Sequence, residues 1–295
     1  MIKRALKAAT GQMIYETYET GNFYSVIPCI TEEYCNTDTK FINLNFNDEK
    51  HVEILNDLPK YLINFDETFG HKNTVERKNN YQYSLMNGMF EWMDARMLHY
   101  FLRKNKPKKI IEIGSGNSTL LTYNTKNMYN LDLQITCIEP YPKDYLTKLH
   151  TAGNINLIAN KLENVDLEIF KTLEANDILF IDSSHVMKLD SDVMYYMTKI
   201  FPVLKKNVLI HIHDVFFPYD YPTEWLKQGR FWNEQYFLFG FLQYNTKFKI
   251  QFCNSYAHFK YNAILKDIQR SSYETSNNLY NGVYSGGSLW LLVTE

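Results

Sequence analysis

Little in this 295-residue chain suggests a disulfide scaffold, a membrane span or a polyanionic partner. The four cysteines, Cys29, Cys35, Cys137 and Cys253, are scattered and form no C-x-x-C pair. They read as buried or incidental thiols in a reducing compartment. No run approaches the roughly 18 apolar residues that span a bilayer, and Met1 to Thr10 lack the apolar centre of a signal peptide. Lysine and arginine (31) nearly balance aspartate and glutamate (33), leaving a net charge of −2. With both signs interspersed, nothing steers the chain toward nucleic acid or an anionic membrane. No internal repeat or low-complexity tract is present. The expectation is a soluble, cytoplasmic protein with no nucleic-acid or membrane partner. Its abundant Asn, Lys, Ile and Tyr are those of AT-rich genomes, large DNA viruses among them, and a viral source would make the compartment the host cytoplasm.

Hydrophobic content is an ordinary 45%, but aromatic content is high at 16%, with 23 Tyr and 19 Phe. The length suits one large domain with an N-terminal elaboration. Residues 1–90 show no sustained helical period, and the polar stretch Asp66 to Tyr81 reads as loop. They are expected to form an N-terminal cap, which also offers a surface for a homodimer, with the main domain over 91–295. From Asp94 the pattern changes. Ala95, Leu98 and Phe101 recur at helical spacing, with Asp94 as the N-cap. Apolar runs then alternate with helical segments. Strands are predicted at 109–113, 134–138, 155–158, 177–181 and 207–212, with helices at 118–127, 143–150 and 190–201. That alternation means an α/β fold with a mostly parallel sheet and right-handed crossovers. A helix over 232–244 and strands at 249–252 and 288–293 close the sheet.

The chemistry gathers where strands end. Lys109-Ile110-Ile111-Glu112-Ile113 runs into Gly114-Ser115-Gly116-Asn117-Ser118, a buried strand followed by a glycine turn. Carboxyl ends of such strands are where open parallel sheets bind ligands. Glu112 is costly there unless it meets a donor, such as a ligand ammonium. A dinucleotide fingerprint wants glycine where this chain has Thr119. Glu139 ends the second strand and suits a pair of ribose hydroxyls. The fourth strand ends in Asp182-Ser183-Ser184-His185 and the fifth in His211-Ile212-His213-Asp214. Adjacent parallel strands lie about 4.8 Å apart, so Asp182 and Asp214 can converge, either on a hard divalent cation or as a hydrogen-bonded pair. His185 or His213 would serve as a general base near neutrality. Downstream, Tyr221, Trp225 and Arg230 fall in an aromatic, proline-rich stretch that suits a sugar ring or other polyhydroxylated acceptor; the alternative for these aromatics is core packing.

Taken in order, Glu112-Ile113-Gly114-Ser115-Gly116-Asn117-Ser118, Glu139, Asp182 and His213-Asp214 resemble the motifs of class I S-adenosylmethionine (SAM)-dependent methyltransferases. Phe180-Ile181-Asp182-Ser183-Ser184-His185 and Ile212-His213-Asp214 look most like the methyltransferase-24 type, which includes metal-dependent O-methyltransferases of sugars and small molecules. The resemblance covers residues 90–295. It implies a Rossmann-like sheet of seven strands with an antiparallel last strand. It implies that Glu112, Gly114, Ser115, Gly116 and Ser118 hold the methionine portion of SAM, Glu139 the ribose, and that Asp182 and Ser183 face the cofactor. Asp182, His213 and Asp214 would take Mg²⁺ or Mn²⁺. His185 stands where catechol-type enzymes place a lysine base. The fifth-strand pair, usually Asp-Asn or Asp-Asp, is His213-Asp214 here, so His213 is either a ligand or the base, and Asp182 joins the catalytic set. Asn160 and Glu163 are candidates for the adenine.

The expected activity is methyl transfer to a hydroxyl of a glycan or small-molecule acceptor. Two other readings remain open. One is an NAD(P)-binding oxidoreductase on the same fold, disfavoured by Thr119 and Glu112. The other is a methyltransferase-like binding module without catalysis, against which the intact Asp182, His185, Asp214 set argues.

Overall fold

The structure, a computed structural model, describes residues 19–34, 39–70, 74, 76–77, 81–268 and 286–295. Met1 to Thr10 and Cys35 lie outside them. The chain divides into two compact units, one of residues 1–36 and 221–231, the other of residues 37–220 and 232–295.

The larger unit is built on a seven-stranded sheet of order β3-β2-β1-β4-β5-β7-β6. The strands are β1 Lys109–Ile113, β2 Gln134–Ile138, β3 Asn156–Ile158, β4 Ile178–Ile181, β5 Leu209–His213, β6 Phe248–Cys253 and β7 Ser288–Val293. Neighbours among β1 to β5 run parallel, and β7 runs antiparallel to both β5 and β6. The chain winds outward from β1 to β3, then returns to β4 on the other side of β1. That reversal falls between β1 and β4, and the carboxyl ends of the strands at such a switch point are where doubly wound sheets take ligands.

Strand period explains the layers. Ile110, Ile135, Ile178, Phe180 and Trp290 pack on one face, and Ile111, Ile113, Ile138, Leu179, Ile181 and Ile212 on the other. Both faces are covered, so the strands read as near-continuous apolar runs. Each fully buried Ile or Leu contributes roughly 1.5–3 kcal/mol. The first face is covered by α1 (Asp48–Asp57), α2 (Trp92–Asn105), α3 (Asn117–Met128) and α4 (Asp144–Thr151). The second is covered by α5 (Asp192–Tyr195) with the turns that continue it, and by α6 (Glu234–Gln243). Helix α7 (Asn254–Ile268), kinked at Tyr261, follows β6.

Several elements differ from the sequence reading: Phe65–Phe69 is helical at the edge of the stretch read as loop, and α7 was not expected. Helix α1 falls where no helical period was expected: His51, Ile54, Leu55 and Leu58 form its buried stripe, and a histidine in that stripe hides it from an apolar count. Asp94 is not an N-cap. Glu91 holds that position with φ −133°, while Asp94 is buried in the first turn of α2 and accepts from Asn254 Nδ2 at 2.7 Å and from the Ser288 hydroxyl. The helix expected over 190–201 opens at Ser191, whose Oγ accepts from Met194 N. It then widens into a π turn over Tyr196–Ile200.

The smaller unit, among its described residues, has a turn closed by Gly21 N donating to Ile27 O at 3.0 Å and a five-residue helix, Thr223–Lys227. The Arg230 guanidinium lies 5.2 Å from the centre of the Trp225 ring. Among the described residues no helix is long and apolar enough to cross a membrane.

Candidate active site

Gly114 is glycine because two strand ends touch. Its φ is +76°, and a Cβ there would sit 1.7 Å from the Asp182 carbonyl oxygen. Side chains are disfavoured at that φ, and here no space exists for one. Gly114 N donates to Ile138 O, and Asp182 N donates to Ile113 O. The first glycine of the turn is thereby locked to the start of the Asp182 loop. Gly116 differs: its backbone is extended, and a Cβ would meet only the Tyr145 hydroxyl at 3.7 Å. Packing does not require glycine there.

Glu112 faces α3, not solvent. It is 1% exposed and accepts from the Ser118 hydroxyl and, at 2.7 Å, from the Thr119 hydroxyl. An ion pair with a ligand ammonium would have to share an oxygen already engaged in ordering the loop. Burial pushes its carboxyl up to about 8. Between about 4.5, its ordinary value, and about 8 the folded protein therefore holds a proton that the unfolded chain releases. Stability contributed by this group is full below the lower value and falls by roughly 1.4 kcal/mol per pH unit up to the higher one. In urea melts from pH 4.5 to 8 the native protein should lose stability relative to Glu112→Gln by about 1.4 kcal/mol per pH unit; an equal pH dependence in the two would contradict a buried, protonated Glu112.

Glu139, at the exit of β2, accepts from Ser115 N at 3.2 Å with one oxygen and from Tyr141 N at 2.9 Å with the other. Backbone amides thus fix a carboxylate beside the glycine turn. Tyr145 OH, close to Gly116, and Ser183 Oγ, next to Asp182 in the chain, are buried with no hydrogen-bond partner. Buried hydroxyls left unpaired are costly, so polar atoms orphaned beside a glycine turn mark a place for a polar ligand. A nucleoside cofactor fits that donor set. Asn160, by contrast, accepts from Lys161 N, and Glu163 sits in the 3₁₀ turn Leu162–Asn164, both beyond β3.

The exits of β4 and β5 form the second half of the site. Within a regular strand Asp214 would point away from the face of His213, but β5 ends at His213 and Asp214 has φ +56°. That break brings the Asp214 carboxylate round to His185, itself at φ +60°. His185 Nε2 lies 3.4 Å from Asp182 Oδ1 and 3.4 Å from Asp214 Oδ2. Its Nδ1 lies 2.8 Å from Glu234 Oε2, and the other Glu234 oxygen accepts from Tyr196 OH at 2.5 Å. The Trp232 ring packs 4.3 Å from the imidazole. The loop around His185 is pinned further. Its carbonyl accepts from the backbone amides of Asn233 and Glu234, while Ser184 donates to Asp192 from both N and Oγ.

His213 sits beside this cluster, not within it. Its Nε2 is 3.6 Å from Asp214 Oδ1, its Nδ1 is buried without a partner, and its ring lies against Phe90 and His211. Burial pulls the His185 pKa down, but hydrogen bonds to Asp182 and Glu234 and the Asp214 charge outweigh it, leaving the imidazole well above its ordinary value. Burial likewise opposes the charge on Asp182, but His213 and His185 hold that carboxyl below the usual range. Asp214 is raised, chiefly by burial.

One ligand atom each from Asp182, His185 and Asp214 lies within 4.8 Å of the others. The two carboxylates, Asp182 and Asp214, suit a hard divalent cation, and the imidazole beside them suits either a third ligand or a base. The residues fit a metal. Glu234 was not legible as part of this site. Its signal is position: it shares the buried stripe of α6 with Leu238, where a carboxylate is expensive without partners. Tyr221, Trp225 and Arg230 belong to the smaller unit, and the cluster is assembled without them.

Comparison with known proteins gives a family match over part of the chain. Residues 111–215, from β1 through the turn after β5, match a family model described as a methyltransferase domain, the methyltransferase-24 type. An uncharacterized protein of Archaeoglobus fulgidus is 34% identical over 171 residues, covering 55% of this chain and 76% of that protein. The chain belongs to the methyltransferase-24 family. Solved structures of loosely similar path include an S-adenosylhomocysteine-bound methyltransferase, PaMTH1, of Podospora anserina, at 18% identity and TM-score 0.39, covering 85% of this chain and 98% of that one. Another is the plantazolicin methyltransferase BamL, at 15% identity and TM-score 0.44, covering 83% and 99%. The methyltransferase match begins on Ile111 and ends on Val215, so it contains Gly114, Glu139, Asp182, His185 and Asp214 but not Glu234.

Proposed function

We propose that the protein is a SAM-dependent O-methyltransferase acting on a hydroxyl of a sugar, glycan or other small hydroxylated molecule, with Asp182 and Asp214 holding Mg²⁺ or Mn²⁺. The observation that carries this reading is the contact of Gly114 with Asp182, which places the glycine turn directly beside the Asp182, His185, Asp214 cluster. SAM supplies an electrophilic methyl, and a divalent cation supplies charge that stabilises the acceptor oxygen as it loses its proton. Glu139 offers both carboxylate oxygens to the ribose hydroxyls. Tyr145 OH and Ser183 Oγ offer unspent hydrogen bonds to the rest of the cofactor. His185 Nε2 takes the acceptor proton, and the pinned loop around it keeps the ring from turning away. Trp225 and Arg230 have a flat face and fixed donors that suit a polyhydroxylated ring. Tyr221 is 1% exposed, so its ring packs the interior and is not a platform for an acceptor.

Glu139→Ala tests the cofactor half. Hydrogen bonds to a charged acceptor contribute roughly 1.5–3 kcal/mol, so calorimetry should show S-adenosylhomocysteine binding weakened by about 10- to 150-fold. An unchanged affinity would move the ribose elsewhere. NADH binding to the native protein in the absence of S-adenosylhomocysteine binding would favour an oxidoreductase instead.

A further inference from the structure

A cavity of about 220 Å³ lies at the end of the sheet remote from Asp182 and Asp214. Asn176 and Asn207, which precede β4 and β5, line it, and α1 and α2 close it with Ile54, Tyr100 and Phe101. We propose that it is a second small-molecule site, which takes a monocyclic aromatic carboxylate bearing a hydrogen-bond donor. None of the residues assigned to methyl transfer lines it, so this site stands apart from the proposed reaction.

Strand β6 carries a bulge at that place. Ile250 pairs with Leu291 and Phe252 with Trp290, which leaves Gln251 as the extra residue. At period two Ile250 and Phe252 would share a face; instead they pack on opposite faces of the sheet, and Gln251 lines the cavity. Gln251 is only 8% exposed. Its Nε2 reaches carbonyls of its own strand alone, Ile250 O at 3.4 Å and Lys249 O at 3.5 Å, at the outer limit of a hydrogen bond. Its Oε1 accepts nothing among the described residues. A buried amide held so poorly is costlier than an apolar residue of the same size. Bulges re-aim side chains beside binding sites, and this one presents an unbonded amide oxygen to a cavity, where a ligand donor would satisfy it.

The other walls define the rest of the ligand. Ile54, Phe101, Leu209 and Leu292 supply apolar surface. A dry cavity of about 150 Å³ already accepts a benzene ring, so the larger volume here leaves room for two small substituents. Lys50 and Lys104 bring positive charge. Lys104 is committed: it donates to Asp57 Oδ2 at 2.7 Å, and Asp57 also accepts from Lys60 and the Tyr100 hydroxyl. Lys50 pairs with Glu53 across one helical turn, an exposed contact of small worth. It can turn to a ligand carboxylate at little cost. Glu174, beside the lining residue Ala175, is occupied by Lys205. Apolar walls, one transferable cation and one unbonded amide oxygen together specify an aromatic ring with a carboxylate and an N–H or O–H group.

The experiment is methyl NMR of the full chain titrated with benzoate and with the three aminobenzoate isomers, which lack the hydroxyl of the proposed methyl acceptor. The expected result is saturable shifts at the Ile54, Leu209 and Leu292 methyls, with a Kd of about 1 mM or below for the best isomer, unchanged by excess S-adenosylhomocysteine. That isomer should bind roughly 2- to 10-fold tighter than benzoate, and the preference should vanish in Gln251→Leu. Ala175→Trp, a change at an exposed residue of the rim, should abolish the shifts. Lys50→Met should weaken binding roughly 3- to 10-fold. No shift at those three residues with millimolar probe, or shifts reversed by S-adenosylhomocysteine, would overturn the proposal even if no variant folded. Binding that survives Ala175→Trp, or an aminobenzoate preference that survives Gln251→Leu, would overturn it too.

Discussion

With His185 changed to alanine, methyl transfer should fall by roughly 10²- to 10⁴-fold while S-adenosylhomocysteine binds as in the native protein. The size of the effect follows from what faces that ring. Nε2 is equidistant, at 3.4 Å, from carboxylates on two different strands, and Nδ1 is held by a fully buried third. His213 has no comparable support, since its Nδ1 meets no partner and its Nε2 lies 3.6 Å from Asp214 Oδ1. His213→Ala should therefore cost less than His185→Ala. The measurement is transfer of labelled methyl from SAM to a pool of sugars and small hydroxylated molecules, with Mg²⁺ or Mn²⁺ present. Full activity in His185→Ala with none in His213→Ala would reassign the base.

The largest expected change in stability comes from Gly114→Ala. A left-handed backbone costs a side chain roughly 1–3 kcal/mol, and forcing atoms into filled space costs roughly 1–3 kcal/mol more. At Gly114 both apply, because φ is +76° and the Cβ would overlap the Asp182 carbonyl at 1.7 Å. The expected loss is about 3 kcal/mol or more, read as a shift of the urea midpoint. Relief requires β1 and β4 to part at their carboxyl ends, which would also spread the two halves of the site. Gly116→Ala is the control, since its extended backbone and nearest neighbour at 3.7 Å leave room for a methyl group. Equal destabilisation at both glycines would mean the turn is governed by something other than the contact with Asp182.

How much of this the sequence carries depends on the range of the interaction. The strands were legible because each is a short apolar run ending in a polar residue, a local pattern produced by burial on both faces. Glu139, Asp182 and Asp214 stand out for the same reason, each lying just beyond such a run. Asp94 was misread because its role is set by Asn254 and Ser288, 160 and 194 residues away in the chain, and a local reading finds only a helix-start residue. Helix α1 escaped because His51 fills a position in its buried stripe, its Nε2 accepting from Cys253 N at 2.9 Å. That bond makes a histidine behave as a core residue. Glu234 escaped because no motif surrounds it, only an aromatic helix. Whether Asp214 joins the cluster turned on a backbone angle after β5, which alternation along a strand does not encode.

The most direct test of the account is a crystal structure of the protein with S-adenosylhomocysteine and Mn²⁺. The expected complex has the ribose hydroxyls on Glu139, the thioether sulfur at the Gly114 and Asp182 junction, and the cation between Asp182 and Asp214. A nucleoside bound away from the carboxyl ends of β1, β2 and β4 would contradict it.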